Sequence, residues 1–433
     1  MKKNNKTIGI ITLGCAKNLV DTELMAGLLV KKGYSISLDT TNCDVVLINT
    51  CAFIHDAQKE SIRAILEEAN DGKKVIVAGC LAQRFKEELK KEIPEISAIV
   101  GSCDFDKIVE AIENDDFYSV SDAPEYNYIE DVEREQITVG SASYIKIADG
   151  CNYACGYCVI PKLKGKYKSR KIEDIVKEAK KLANKGVGEI ILIAQDTTNY
   201  GIDLYGKPQL ANLLRELNKI EDINWIRVLY AYPTNFNDDL IDAYKTCDKV
   251  VKYIDIPLQH SNIEVLKNMK RPPQDYDSLI KKIRKNIKNV CIRTTFIVGY
   301  PMETEEQFED LYNFVKRSKF DRLGVFEFSK EEGTYAYNLK PQVSARIKKD
   351  RKNRILKLQS EISYEINSKL VGKKIPCIIE EIRDDGIVVA RSYKDAPEVD
   401  GLVYIKTDKH LTPCDIELVK ITDFDNYDLF GII

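Results

Sequence analysis

Three cysteines fall within eight residues in Cys151-Asn-Tyr-Ala-Cys155-Gly-Tyr-Cys158, spaced four and then three apart. Thiolates are soft ligands suited to iron–sulfur clusters, and a short loop lets a chain deliver several to one cluster. Three of them leave the fourth iron of a cubane without a protein ligand, free to bind a small molecule. Structural zinc calls for four ligands, often as two separated Cys pairs. No fourth Cys or His lies near this stretch. A zinc loop or three buried free thiols are the plainer readings. The strand-like run before the motif and the aromatic Tyr157 within it favour the cluster.

A second set of cysteines emerges from the elements before this loop. Thr7–Leu13, Asp44–Asn49, Lys74–Ala78 and Ile96–Val100 are apolar runs of strand length. Helical patterns over Asn18–Lys32, His55–Asn70 and Ala82–Glu92 separate them. Continuous apolar strands alternating with amphipathic helices imply a parallel sheet in an α/β layer fold. Cys15, Cys51 and Cys80 each follow the carboxyl end of one of the first three strands, the edge where open α/β sheets bind ligands. Their convergence suggests a second three-thiolate cluster, again with one open iron. Cys103 follows the fourth strand in the same way and is a ligand, a spare thiol or neither. Cys43 precedes a strand and belongs at the opposite edge.

After an acidic connection lacking any sustained period, strand-like runs recur over Tyr144–Ala148, Glu189–Ala194, Trp225–Tyr230, Tyr253–Ile256, Cys291–Val298 and Arg322–Phe328. Six strand–helix units predict a curved parallel sheet, closed or partly closed as a barrel, with its site at the carboxyl ends of the strands. Cys151 follows the first of them. Ala194-Gln195-Asp196 follows the second, His260 the fourth, and Gly299-Tyr-Pro301 the fifth. Arg293, inside the fifth strand, wants an anion if it points inward, the carboxylate of a bound cofactor being one candidate. An amphipathic helix over residues 343–366 packs by default on the barrel. Four short strands then predict a small antiparallel barrel. The domain boundaries read 1–120, a linker over 121–142, 143–367 and 368–433.

Composition agrees with an ordinary soluble chain: 433 residues, 31% charged, 44% hydrophobic, net charge −3. Nothing approaches the roughly 20 apolar residues of a membrane helix, and the N-terminal apolar run is too short for a signal peptide. A cytoplasmic location with no membrane partner is expected, where twelve cysteines mean metal or catalysis before disulfides.

The motif Cys151/Cys155/Cys158 resembles that of the radical S-adenosylmethionine (SAM) superfamily, Tyr157 included. The resemblance implies that these three cysteines hold a 4Fe-4S cluster whose open iron chelates SAM. It places Tyr157 near the adenine, Ala194, Gln195 and Asp196 at the amino group of SAM, and Gly299 and Pro301 near the adenine. Gly14-Cys15-Ala16-Lys17-Asn18-Leu19-Val20-Asp21-Thr22-Glu23, ahead of such a motif, resembles the methylthiotransferase family, in its branch acting on ribosomal protein S-twelve (the RimO type). The commonest form there has Pro at Ala16 and Ser at Thr22. In that family Cys15, Cys51 and Cys80 hold an auxiliary 4Fe-4S cluster and Cys103 is not a ligand. Residues 390–401 resemble that branch's version of the TRAM domain.

The resemblance implies methylthiolation of the β-carbon of an aspartate in the S-twelve protein, with SAM as both methyl donor and radical source. A flavodoxin or ferredoxin would donate electrons. A tRNA adenosine substrate is the first alternative, and a non-catalytic ribosome- or RNA-binding iron–sulfur protein the second. From Lys369 onward the tail carries 9 Lys and Arg against 13 Asp and Glu, a difference of −4. Phosphate binding needs a cationic face, so the tail's charge suits a basic protein better than RNA.

Overall fold

The computed structural model describes residues 6–129, 133–138 and 140–433. Part of the expected linker, Glu130–Val132 and Val139, lies outside them.

The N-terminal sheet has six parallel strands in the order Ser35–Ser37, Thr7–Thr12, Val45–Thr50, Lys74–Gly79, Ile96–Val100 and Phe117–Ser119. Helix Ala16–Lys32 covers one face, and helices His55–Asn70 and Cys80–Glu92 the other. The first helix stops at Gly33, whose φ of 99° lets its N–H return to the Leu29 and Val30 carbonyls, the usual glycine stop. The two edge strands were not expected from sequence. At three residues each they are too short to show a period.

Six further parallel strands form the central half-barrel. Ala142–Lys146, Glu189–Ile193 and Trp225–Val228 make one sheet; Tyr253–Asp255, Cys291–Val298 and Arg322–Glu327 make the other. The seam is stitched by Ile226 N to Lys249 O (2.8 Å), Val251 N to Ile226 O (3.0 Å) and Ala231 N to Asp255 O (2.9 Å). Among the described residues no pairing joins the last strand to the first, so the barrel is open. The long helix Ala345–Ser368 buries Ile355, Leu358 and Ile362 in the barrel core.

The tail is a closed five-stranded barrel, Lys374–Ile382, Ile387–Ser392, Val403–Lys406, Leu429–Ile432 and Ile416–Phe424. Four pairings are antiparallel, and the Val403–Lys406/Leu429–Ile432 pair is parallel. The fifth strand was not expected. Residues 391–400 of this barrel plug the half-barrel at the starts of its strands, away from Cys151. Arg391 Nη2 meets Glu189 at 2.6 Å, Lys394 Nζ meets Asp321 at 2.7 Å, and Arg322 Nε donates to Asp395 at 2.9 Å. Arg293 belongs here too. It pairs with Asp255 at 2.9 Å and faces Asp400 at 3.6 Å, so its anions are the protein's own and not a cofactor's.

Candidate active site between two cysteine triads

The loop of Cys151, Cys155 and Cys158 leaves the half-barrel through Asp149 and Gly150. Gly150 has φ 77°, and a Cβ there would lie 2.1 Å from the Lys166 carbonyl oxygen. The backbone is then pinned by Cys151 N to Gly165 O (3.1 Å), Gly156 N to Met269 O (2.8 Å) and Ala336 N to Gly156 O (2.7 Å). Burial pushes the Cys151 thiol up to about 11 and the Cys158 thiol up to about 12. Such thiols ionise when a metal takes the place of the proton. Arg271, buried, lies 3.9 Å from Cys155 Sγ, donates to the Tyr157 hydroxyl at 3.4 Å and sits over the Tyr232 ring. Tyr232 in turn stacks on Tyr153 at 4.1 Å. Lys270 is exposed, whereas Arg271 is a cation directly behind the thiols.

Ala194, Gln195 and Asp196 lie beside this loop. Gln195 donates through Nε2 to Asp149 Oδ1 at 2.6 Å, which leaves its buried Oε1 without a partner. Asp196 Oδ1 accepts from the Thr198 amide and hydroxyl, at 2.8 and 2.6 Å, while the buried Oδ2 has none. Burial pushes the Asp196 carboxyl up to about 6. Buried polar atoms are normally satisfied, so the two orphaned oxygens suit a polar ligand such as the ammonium of SAM. Gly299 and Pro301 approach less directly. Gly299, at φ 72°, is approached by Lys348 of the long helix, 2.3 Å from an ideal Cβ. The glycine thus admits the long helix. The neighbouring Tyr300 reaches the cysteine loop, donating to the Asn268 carbonyl at 2.9 Å and lying 2.7 Å from where a Gly156 Cβ would sit. His260 is fully buried and accepts the Asn262 amide at Nδ1, 3.0 Å.

Cys15, Cys51 and Cys80 converge as their strand-end positions require. Gly14, at φ 96°, backs onto Cys51, 2.7 Å from its Cβ and 3.0 Å from its Sγ if a Cβ were present. Asn18 Nδ2 donates to the Leu13 and Thr50 carbonyls at 2.9 and 3.0 Å, tying together the two loops that carry Cys15 and Cys51. Its Oδ1 lies 3.9 Å from Cys80 Sγ. This role was invisible in sequence, where Asn18 read as a helix start. Burial raises the Cys51 thiol and pushes Cys80 up to about 12, while Cys15 is exposed. Cys103 lies against Ser102 Oγ and the Lys164 carbonyl, both at 3.9 Å. Among the described residues no three His, Cys, Asp or Glu side chains crowd round a lone-ion position. Three soft thiolates in each set match the donor chemistry of an iron–sulfur cluster.

A buried charge network joins the two triads. Lys164 Nζ reaches Asp21 at 2.9 Å, and Lys146 Nζ reaches both Asp21 and Asp149, the latter at 2.7 Å. Burial alone would raise the Asp149 carboxyl, but Lys146 and Lys164 hold it well below the usual carboxylate range. Asp149 also takes Gln195, so the network ends in the pocket of the first triad.

Three family profiles match the chain in order: the Uncharacterized protein family UPF0004 over residues 7–101, the Radical SAM superfamily over 145–315 and the TRAM domain over 371–433. The ribosomal protein uS12 methylthiotransferase RimO of Thermoanaerobacter sp. (strain X514) is 48% identical over 435 residues, covering 98% of this chain and 99% of the relative. That of Caldanaerobacter subterraneus subsp. tengcongensis is 49% identical over 437 residues, at the same coverage. The chain belongs to the RimO methylthiotransferase family. It is therefore a sulfur-transferring radical SAM enzyme that uses iron–sulfur chemistry and SAM. The radical SAM methyltransferase TsrM of Kitasatospora setae shares the fold at TM-score 0.54 and 15% identity, over 75% of this chain and 72% of that one. For a methylthiotransferase, the residues sequence reasoning missed are those between its thiols: Arg271, Asp149, Lys146, Lys164 and Lys17. Lys17 stands in the Gly14–Glu23 stretch that resembles the family signature, but no spacing there assigned it a role. Among the described residues no helix is long and apolar enough to cross a membrane.

Proposed function

We propose that this enzyme attaches a methylthio group to the β-carbon of an aspartate in ribosomal protein uS12. The carrying observation is that the two triads, with a charge network between them, sit in a chain matching uS12 methylthiotransferases over nearly its whole length. Cys151, Cys155 and Cys158 would hold one 4Fe-4S cluster, and Cys15, Cys51 and Cys80 an auxiliary one. Together with SAM these groups supply the radical, methyl and sulfur chemistry that an unactivated C–H bond demands and acid–base groups cannot provide. The protein's own work is positioning. Gln195 Oε1 and Asp196 Oδ2 offer acceptors to the SAM ammonium. Arg271 fixes Tyr157 beside the adenine, with Gly299 and Pro301 completing that side through Tyr300. Asp21, Lys146, Asp149 and Lys164 lock the two domains in register.

The tail supports a protein substrate. Its buried charges at the half-barrel, Arg391 and Lys394 against Asp395 and Asp400, cancel. What it shows to solvent keeps the acidic excess of four, which suits a basic protein better than a phosphate backbone. The enzyme works in the cytoplasm with a flavodoxin or ferredoxin as electron donor. The test is anaerobic incubation of the reconstituted enzyme with SAM, reductant, a sulfur source, unmodified uS12 and unmodified tRNA, read by mass spectrometry. A methylthio gain on the uS12 aspartate is expected. A gain on a tRNA adenosine would move the substrate, and no SAM cleavage at all would leave only a binding protein.

A further inference from the structure

Among the described residues the Lys17 ammonium has no carboxylate partner. The residue is nine-tenths buried. Its neighbours are matched: Lys146 holds Asp21 and Asp149, and Lys164 holds Asp21 and the Ser102 carbonyl at 3.0 Å. Both oxygens of Asp149 are taken, Oδ1 by Gln195 and the Gly150 amide, Oδ2 by Lys146. Among the described residues the Lys17 ammonium meets only the face of the Tyr230 ring, 3.8 Å from its centroid. A ring face satisfies part of a cation's field but accepts none of its three N–H donors as an oxygen would. Lys17 lies two residues after Cys15, and the Tyr230 carbonyl accepts the Thr197 amide at 3.1 Å, two residues past Gln195. Tyr230 itself is held at φ 61° at the end of its strand, with Asp255 Oδ2 accepting its amide at 2.9 Å. Strained backbone that persists with such support clusters at functional sites.

We propose that the Lys17 ammonium anchors the carboxylate of the substrate side chain. The inference rests on the aspartate reading of the substrate. In aspartate the carbon to be modified is bonded directly to the carboxyl carbon, so fixing the carboxylate fixes the reacting atom to within one bond. Lys17 stands between the triad at Cys15 and the pocket at Gln195, where that carbon must be presented. The same charge selects aspartate over asparagine, which matches it in shape but brings no negative charge. Lys17 is thus a substrate-binding residue, and Tyr230 is a positioning residue acting through it.

The experiment measures the affinity of the reconstituted full chain for uS12 and for uS12 with its target aspartate changed to asparagine, in parallel with SAM affinity. Wild type is expected to prefer the aspartate form by roughly tenfold to a hundredfold, the worth of one charge-assisted hydrogen bond. Lys17→Met should bind both forms alike, near the wild-type affinity for asparagine, and Lys17→Arg should recover much of the preference. Equal binding of both forms by wild type overturns the proposal without any variant. So does a preference that survives in Lys17→Met, or a Lys17→Met defect confined to SAM, which would make SAM's carboxylate the anion. Failure of wild type to modify uS12 at all would instead sink the substrate reading, and the anchor with it.

Discussion

Arg351 of the long helix holds Glu303 of the half-barrel, Nη1 to Oε1 at 2.8 Å, and Glu303 Oε2 in turn accepts the Gly299 and Tyr300 amides at 2.8 and 3.1 Å. One carboxylate thus connects the helix to the turn that touches the cysteine loop. Burial pushes its pKa up to about 7 against the opposing pull of Arg351. Arg351→Met leaves a buried carboxylate facing no guanidinium. It should cost about 3–5 kcal/mol in urea denaturation and weaken SAM binding, because Tyr300 loses its support. A loss under about 1 kcal/mol would show that Arg354, through Glu305 and Glu309, holds the helix without Arg351.

Gly14 has a sharper role. Alanine there meets both a disfavoured φ of 96° and the side chain of Cys51. Gly14→Ala should displace Cys51 and lower the iron content of the reconstituted enzyme toward half, while SAM cleavage at the other triad persists. Iron and sulfide analysis checks it, and a full complement in the variant would mean that the two loops yield without losing the triad.

The two triads should separate cleanly by substitution. Cys155→Ala is expected to abolish SAM cleavage to deoxyadenosine. Cys51→Ala should spare cleavage and stop methylthio transfer. Transfer by the Cys51 variant would remove that residue from the auxiliary set.

Much of this arrangement was legible in the chain itself. Strand ends carrying Cys15, Cys51, Cys80 and Cys151 could be read because apolar runs and cysteine positions are local patterns, and parallel topology turns them into one edge. Arg271, Asp149 and Lys17 were not legible. Each is an ordinary charged residue whose role depends on what distant parts of the chain place beside it: the cysteine loop for Arg271, Gln195 for Asp149 and Tyr230 for Lys17. The same holds for residues 391–400: their composition marked a family signature, but nothing local says that they plug a half-barrel. At Gly299 the close approach was legible, but not that Lys348 of the long helix makes one.

That plug makes the tail part of the core assembly. Glu189 is fully buried between Arg227 and Arg391, each at 2.6 Å. Arg391→Ala removes one partner and leaves Glu380 and Glu189 short of their shared cation. The expected loss is about 3–5 kcal/mol, with wild type unfolding in one calorimetric transition and the variant in two as the tail melts first. Two transitions in wild type would mean that the interface does not couple the barrels.

His260 supplies the pH dependence. Burial, with Arg351 adding to it, pushes its pKa down to about 3 from an ordinary 6.5, and its Nε2 lies 3.8 Å from Glu303 Oε2 with no hydrogen bond. Between those two values the unfolded chain binds a proton that the folded chain refuses. The stability that goes with a neutral His260 is therefore complete above pH 6.5 and is lost as pH falls toward 3, at up to about 1.4 kcal/mol per pH unit. His260→Asn removes this proton while Glu303 and Arg351 remain. The stability gap between wild type and variant in urea denaturation should thus narrow steadily from pH 7 to pH 5. A gap that stays constant over that range would mean the imidazole takes up its proton inside the fold, with the Glu303 carboxylate turning to pair with it.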